Sequence, residues 1–180
     1  MAWIDYQKAF DRVSHSWIIK SLRLFGINNK VISFTKKVMN YWKTHMSLHA
    51  ENKLIDTEDI QIQCGIFQGD SISPLLFCIC LIPLIEQMNR LNIGYEEYTT
   101  KTKISHLLYK DDLKLIAKSE EELQKQIQTV KSFSDDINME FGLEKCAKIT
   151  FKRGKLTRLL NLVIDTNREI QELEQGKTYK

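Results

Sequence analysis

The stretch Ile104-Ser105-His106-Leu107-Leu108-Tyr109-Lys110-Asp111-Asp112-Leu113-Lys114-Leu115-Ile116-Ala117 sets two apolar runs on either side of a pair of adjacent acids. Runs of this length and composition predict two β-strands, and the polar residues between them predict a tight connection. The segment therefore reads as a hairpin with Asp111 and Asp112 at its tip. Ser119-Glu120-Glu121-Glu122 follows in the form of a capping box and opens a helix. The buried side of that helix is expected to carry Leu123, Ile127, Val130 and Ile137. Beyond it, Ala147, Ile149 and Phe151 alternate with Lys148, Thr150 and Lys152, which predicts one more strand.

Upstream, Ala2-Trp3-Ile4 is apolar and β-prone and ends at Asp5. A helix opens on Ser14 or Ser16, carries Trp17, Ile18, Leu22 and Phe25 at helical spacing, and stops at Gly26, where a C-terminal glycine belongs. A second helix follows Asn28-Asn29. Val31, Phe34, Val38, Met39 and Trp42 lie on one side of it, and Lys30, Lys36, Lys37 and Lys43 on the other. Those lysines read as a solvated face or, alternatively, as contacts to a phosphate backbone. Met46 to Cys64 reads as a hairpin turning at Glu51-Asn52-Lys53, and Gly65 to Gly69 as a loop. Ser73-Pro74 has the pattern of a helix cap followed by proline in the first turn. The helix from Leu75 to about Leu91 is apolar on nearly all sides, so it is expected to be deeply buried, with a kink at Pro83. A short strand is expected at Leu162-Val163-Ile164. The order of strand, two helices, hairpin, helix, hairpin, helix and strand is that of an α+β fold: an antiparallel sheet with helices packed on one face.

Composition narrows the classes. The 180 residues include 26 Lys and Arg against 23 Asp and Glu, a net charge of +3, with 43% hydrophobic residues. That is one ordinary globular domain, and its net charge is too small to argue for a polyanionic partner by itself. No run of 18 apolar residues exists, so no membrane-spanning helix is expected, and the first residues do not resemble a secretory signal. The four cysteines form no C-x-x-C pair, which argues against zinc and for buried free thiols in a reducing compartment. The four histidines do not cluster, and each reads as structural or surface.

Asp5 and the pair Asp111-Asp112 lie at the ends of apolar strands, and a sheet can bring such ends together. Converging carboxylates repel one another unless a cation lies between them, and Mg²⁺ prefers their hard oxygens. Two such ions can clamp the attacking and leaving oxygens of a phosphoryl transfer. The plainer reading of each acid also stands, because aspartate is common in turns for its own backbone hydrogen bonds.

Four motifs bear on that choice. Asp5-Tyr6-Gln7-Lys8-Ala9-Phe10-Asp11 resembles the first palm motif of reverse transcriptases, in the form found in non-LTR (LINE-type) retrotransposons and group II introns. Gln68-Gly69-Asp70-Ser71-Ile72-Ser73-Pro74-Leu75-Leu76-Phe77 resembles the second motif, Q-G-x-x-x-S-P-x-L-F. Tyr109-Lys110-Asp111-Asp112 resembles the Y-x-D-D box, and Gly142-Leu143-Glu144-Lys145-Cys146 the fourth motif. All four occur in the family's order, and the chain is similar overall to the palm of a non-LTR retrotransposon reverse transcriptase.

The resemblance implies a polymerase-palm (ferredoxin-like) α+β fold and RNA-directed DNA polymerase activity. It implies that Asp5, Asp111 and Asp112 are the catalytic, metal-binding acids, taking two Mg²⁺ ions, or Mn²⁺ in their place. It further implies nucleotide-binding roles for Tyr6, through its backbone carbonyl, for Phe10 as a gate against the 2′-hydroxyl, for Gln68 and Gly69 beside the template base and incoming dNTP, and for Lys145 at the leaving pyrophosphate. The implied partners are an RNA template, a DNA primer and dNTPs, in the nucleus for an active element, with no membrane. The bland counterparts are a partly buried Phe10 ring, a plain turn at Gln68-Gly69 and an exposed Lys145.

Two departures qualify the match. Lys110 stands where the family carries a small or apolar residue; a lysine there either brings a cation to the acids or swings outward. The family also has fingers before the first motif and a primer grip and thumb after the fourth. Residues 1–158 are therefore expected as a partial palm domain lacking fingers and thumb, and 159–180 as a tail leading toward the primer grip. Such a palm fragment is expected to be inactive as an isolated chain. The alternative is a non-catalytic retrotransposon remnant that at most binds nucleic acid.

Overall fold

The computed structural model describes residues 1–50, 53–157 and 161–173. In chain order its strands and helices are β1 (Ala2–Ile4), α1 (Ala9–Arg12), α2 (His15–Leu24), α3 (Asn29–Met39), β2 (Lys43–Thr44), β3 (Ser47–Ala50), β4 (Lys53–Asp56) and β5 (Ile60–Gln61). Then come α4 (Ser73–Arg90), β6 (Tyr95–Glu96), β7 (Lys103–Ile104), β8 (His106–Tyr109), β9 (Asp112–Leu115) and α5 (Glu120–Asp136). The last are β10 (Ala147–Lys148), β11 (Phe151–Lys152), β12 (Lys155–Leu156), β13 (Leu162–Asp165) and β14 (Arg168–Ile170). The chain divides into two compact units: Met1–Ala9 with Leu81 onward, and Phe10–Cys80.

The first unit is built on a four-stranded sheet in the order β10-β1-β9-β8, antiparallel throughout. Ala2, Ile4, Leu113 and Leu115 are buried and alternate with the half-buried Trp3 and Lys114. They turn to the side where α5 buries Leu123, Ile127, Val130 and Phe133. Each such side chain contributes about 1.5–3 kcal/mol through the apolar surface it removes from water. Ser119 caps α5 by accepting from the Glu122 amide, and three glutamates in the first turn favour the helix dipole. Gln126 is a buried polar residue that the apolar pattern does not reveal. Its side-chain amide donates to the carbonyls of Ser105 and Ile116, 3.0 Å each, and ties α5 to both arms of the hairpin.

The last strands depart from the expected alternation. The expected single strand is two short ones, β10 and β11. Lys148 lies inside with no exposed surface, while Phe151 is exposed. The reason lies far along the chain. Residues 171–173 run beside β10, where the Lys148 amide donates to Gln171 and its carbonyl accepts from Leu173. That segment covers the edge of the sheet, and the Lys148 ammonium pairs with Glu120 at the start of α5. Leu162-Val163-Ile164 forms part of β13 as expected; β13 pairs with β14, and the side chains of Gln124 and Gln128 donate to carbonyls of β13.

Gly94 precedes β6 with φ +147, and a Cβ there would stand 2.7 Å from the Ile104 carbonyl oxygen and 2.9 Å from the Ser105 Cα. Both obstacles are backbone, which cannot swing aside. Gly94→Ala is expected to cost about 2–3 kcal/mol, read as a lower urea midpoint at unchanged slope.

In the second unit, Ser14, one of the two serines the sequence offers, caps α2, and Asn28 caps α3, which begins at the Asn28-Asn29 pair as expected. Gly26 takes φ +74 just past the end of α2, the left-handed conformation that a glycine stop supplies. α3 differs from its expected amphipathic packing: Ile32 and Met39 are its buried residues, while Val31 and Phe34 are exposed. β2 pairs with β5 and β3 with β4, so the predicted hairpin is present; its turn at 51–52 lies outside the described residues. Ser73 is the first residue of α4 rather than its cap. The turn is entered through Asp70, whose carboxylate accepts from the Ile72 amide and whose carbonyl accepts from the Ser73 amide. All four cysteines are free, but only Cys80 and Cys146 are buried; Cys64 and Cys78 are exposed, contrary to the expectation of buried thiols. Among the described residues, no helix is long and apolar enough to cross a membrane.

Candidate active site

The hairpin β8–β9 closes tightly: Tyr109 pairs with Asp112, leaving Lys110 and Asp111 as the turn. On the other side of β9, Ile4 pairs with Leu113, so the next residue, Asp5, lies level with Asp112. The register thus draws the first and third motifs to one end of the sheet. Because side chains alternate, Asp5 shares its face with Trp3 and Asp112 with Lys114, and the Lys114 ammonium over the Trp3 ring, 4.7 Å from its centroid, marks that common face. An open groove of about 410 Å³ runs there, lined by Trp3, Leu107, Tyr109, Asp112 and Lys114 among others.

Asp5 is held by the fourth motif. Its carbonyl accepts from the Gly142 amide at 2.8 Å, and its amide donates to the Cys146 sulfur at 3.4 Å. Lys145 lies 3.8 Å from the Asp5 carboxylate; the Asp5 side chain is 21% exposed and the Lys145 side chain 61%. Burial pushes the Asp5 carboxyl above its ordinary range. Lys145 opposes the shift, while Asp111, Asp112 and Glu144 reinforce it. Burial likewise pushes the Cys146 thiol up to about 11, which leaves it a neutral packing group.

Gly142 is the residue that the sequence reading passed over. Its φ is −81, which any residue can adopt, so its backbone does not demand glycine. The demand comes from space: a Cβ there would lie 2.7 Å from Oδ2 of Asp5. Gly142→Ala is therefore expected to turn the Asp5 carboxylate out of place at little cost to folding. The check is the Asp5 carboxyl titration followed by NMR, expected to move back toward the ordinary carboxylate range, alongside a melting temperature; a large fall in melting temperature would point to misfolding instead. The glycine of the motif was visible in the sequence, but its neighbour across the sheet was not.

Lys110 has φ +56, uncommon for a residue with a side chain, and its ammonium lies 5.4 Å from the Tyr109 ring centroid. Its side chain is exposed. Tyr6 is a core residue by its side chain: buried, with its hydroxyl 3.1 Å from Ser134 and its ring against Phe141, and burial raises its pKa.

Phe10, Gln68 and Gly69 belong to the second unit. The Phe10 ring is half-buried and stacked on Phe77, with centroids 4.5 Å apart. The Gln68 amide donates to the Asp11 carboxylate at 3.4 Å, which joins the end of the first motif to the start of the second. Gly69 has φ +94 and open space where a Cβ would be, so its glycine serves backbone conformation. The His15 Nε2–H donates to the Gly65 carbonyl at 3.0 Å, and the ring packs edge-on to Trp42, in keeping with a structural role.

Asp5, Asp111 and Asp112 offer only carboxylate oxygen, the donor type that hard divalent cations take. Among the described residues, no three acid, histidine or cysteine side chains are gathered closely enough to hold an ion.

Residues 1–173 match the family model described as reverse transcriptase (RNA-dependent DNA polymerase). The chain is 31% identical over 147 residues to a retrovirus-related Pol polyprotein from the type-1 retrotransposable element R2 of Popillia japonica, covering 82% of this chain and 23% of that protein. It is 26% identical over 152 residues to the corresponding polyprotein of the type-2 element R2DM of Drosophila melanogaster, covering 84% and 14%. With the RNA-directed DNA polymerase from the Drosophila melanogaster mobile element jockey it shares 25% over 157 residues, covering 83% and 16%. The chain thus spans about a quarter or less of the length of these relatives. In fold it is similar to apo telomerase from Candida tropicalis, with a TM-score of 0.57 at 16% identity over 81% of this chain and 29% of that one. The ordered motifs, the sheet that joins two of them and the match along nearly the whole chain agree: this α+β, palm-type chain belongs to the reverse transcriptase family, as a reverse transcriptase domain of the non-LTR retrotransposon kind.

Proposed function

We propose that this chain supplies the nucleotidyl-transfer centre of an RNA-directed DNA polymerase, with Asp5, Asp111 and Asp112 holding two divalent ions, Mg²⁺ in the first place. The observation that carries the reading is the register that sets Asp5 level with Asp112 beside the turn at Asp111, with Lys145 3.8 Å from the Asp5 carboxylate. Two ions bound there would steady the attacking and departing oxygens of an in-line phosphoryl transfer. The protein's own part is positional. Gly142 and Cys146 fix the backbone of Asp5, and the tight turn fixes Asp111. Lys145, mostly exposed, can turn from Asp5 to a departing pyrophosphate and neutralise its charge. Phe10, Gln68 and Gly69 take the nucleotide-facing roles that their motifs assign, and Tyr6 offers its carbonyl. The partners are an RNA template, a DNA primer and dNTPs. Because the relatives are several times longer, turnover by the isolated chain is proposed to be feeble or absent, and metal binding to outlast it.

The test reads both. Mn²⁺ binding followed by its electron spin resonance signal is expected to weaken at least about tenfold in Asp111→Asn, since each lost carboxylate removes a charged oxygen donor. Any extension of a DNA primer on an RNA template is expected to require the metal and to vanish in the same variant. Unchanged Mn²⁺ affinity in Asp111→Asn, or extension that survives the substitution, would overturn the proposal.

A further inference from the structure

Residues 12–50 carry seven basic side chains and not one acid. The net charge of the whole chain hides this asymmetry. The stretch forms α2, α3, β2 and β3 of the second unit. On α3 and the turn that continues it, Lys30, Phe34, Lys37 and Tyr41 are spaced i, i+4, i+7 and i+11, a single stripe at 3.6 residues per turn. The turn extends the helical path, since the Tyr41 amide donates to the Val38 carbonyl at 2.9 Å. All four side chains are exposed; Phe34 is 67% exposed and Tyr41 82%. Among the described residues, no ion pair engages Lys30 or Lys37, whereas Lys43 pairs with Asp59. On the adjoining side of α3, a cleft of about 310 Å³ against α2 is lined by Arg23, Lys36, His15 and Asn40.

Two large aromatic rings left in water on a helix call for a partner. Lysines that alternate with them say which kind. A hydrophobic protein surface would gain nothing from cations interleaved with its contacts, and an acidic protein would not need the rings. A single-stranded nucleic acid offers both counterparts, phosphates for the ammonium groups and unstacked bases for the rings. Phe34 and Tyr41 lie about 10 Å apart along the helix axis, at 1.5 Å per residue, leaving room for separate bases. We infer that the stripe Lys30-Phe34-Lys37-Tyr41 is a docking surface for single-stranded nucleic acid, independent of the acids at Asp5 and Asp111. The inference extends the proposed function by adding a strand-holding surface, and it rests on that reading only for the identity of the strand as template.

The test is fluorescence anisotropy of the full chain with labelled single-stranded RNA and DNA oligonucleotides and a duplex, over a range of salt. Lys30→Gln with Lys37→Gln is expected to weaken single-strand binding about tenfold at low salt and to reduce the log–log salt slope by about 1.4, at about 0.7 per phosphate contact. Phe34→Ala with Tyr41→Ala is expected to weaken it about tenfold or more at unchanged slope, and to affect the duplex little. RNA and DNA arms that fall together indicate a surface blind to the sugar; a fall confined to RNA identifies the template strand. The inference is overturned if both double variants bind as tightly as the parent, or lose no more than a control exchanging Lys53 and Lys125 for glutamine. The two proposals fail separately: stripe-dependent binding in a chain whose Mn²⁺ affinity is unchanged by Asp111→Asn leaves this surface standing without the catalytic reading.

Discussion

Asp5→Asn is expected to weaken Mn²⁺ binding at least about tenfold, while making the metal-free protein more stable near neutral pH. The first half rests on the proposed function and follows from removing one charged oxygen donor from the ion's seat. The second half follows from the raised carboxyl of Asp5. A carboxyl whose pKa is raised by folding is held protonated more tightly in the folded chain than in the unfolded one. Its contribution to stability is complete below the ordinary carboxylate value and is lost as pH climbs through the raised value. Above that window the ionised Asp5 is a burden that asparagine lifts. The variant's gain should therefore be present at pH 7.5 and vanish near pH 3. Adding Mg²⁺ should stabilise the parent and not the variant, because the ion binds the folded carboxylates only. Melting curves at the two pH values, with and without the ion, are the measurement. A variant less stable than the parent at pH 7.5 without metal would contradict the electrostatic account of this site.

Lys148→Ala is expected to destabilise the first unit by about 3–4 kcal/mol. The Lys148 side chain has no exposed surface, and its ammonium pairs with Glu120, which is about one third exposed. Breaking a buried pair from one side strands the remaining charge and leaves a void along the aliphatic stem. Glu120 retains some access to water, which places the cost toward the lower end of the range for such losses. Lys148→Met fills the stem's volume without the charge and should recover about 1–2 kcal/mol of it. Chemical denaturation of the three proteins decides the matter. A change of less than about 1 kcal/mol in the alanine variant would mean that the pair is not formed in solution.

Much of this molecule can be read from local pattern, and particular residues show where that reading stops. The hairpin around Asp111, the cap at Ser119, the opening of α2 near Ser14 and the buried face of α5 follow from spacing within a dozen residues, and the structure contains them all. Lys148 could not be placed that way. Alternation assigns it to solvent, and it is interior only because residues 171–173 cover the sheet edge and Glu120 lies beneath it. Phe34 failed in the opposite sense, apolar by type and yet left outside while Ile32 and Met39 are buried. Gly142 showed its identity in the sequence but not its purpose, which is to leave room for a carboxylate 137 positions away along the chain.

The sequence by itself determined the chemistry available: three aspartates at strand ends, four motifs in one order, and helices and strands whose limits follow from caps and periodicity. These are short-range matters, settled by hydrogen bonds and apolar spacing within each segment. Only the tertiary structure decided what each group meets. The antiparallel register set Asp5 level with Asp112, the fourth motif closed over Asp5 from behind, and packing sent one lysine into the core and left two aromatic rings among lysines on the surface. Burial and charge depend on neighbours that the chain brings together only by folding, and for that reason no local pattern contains them.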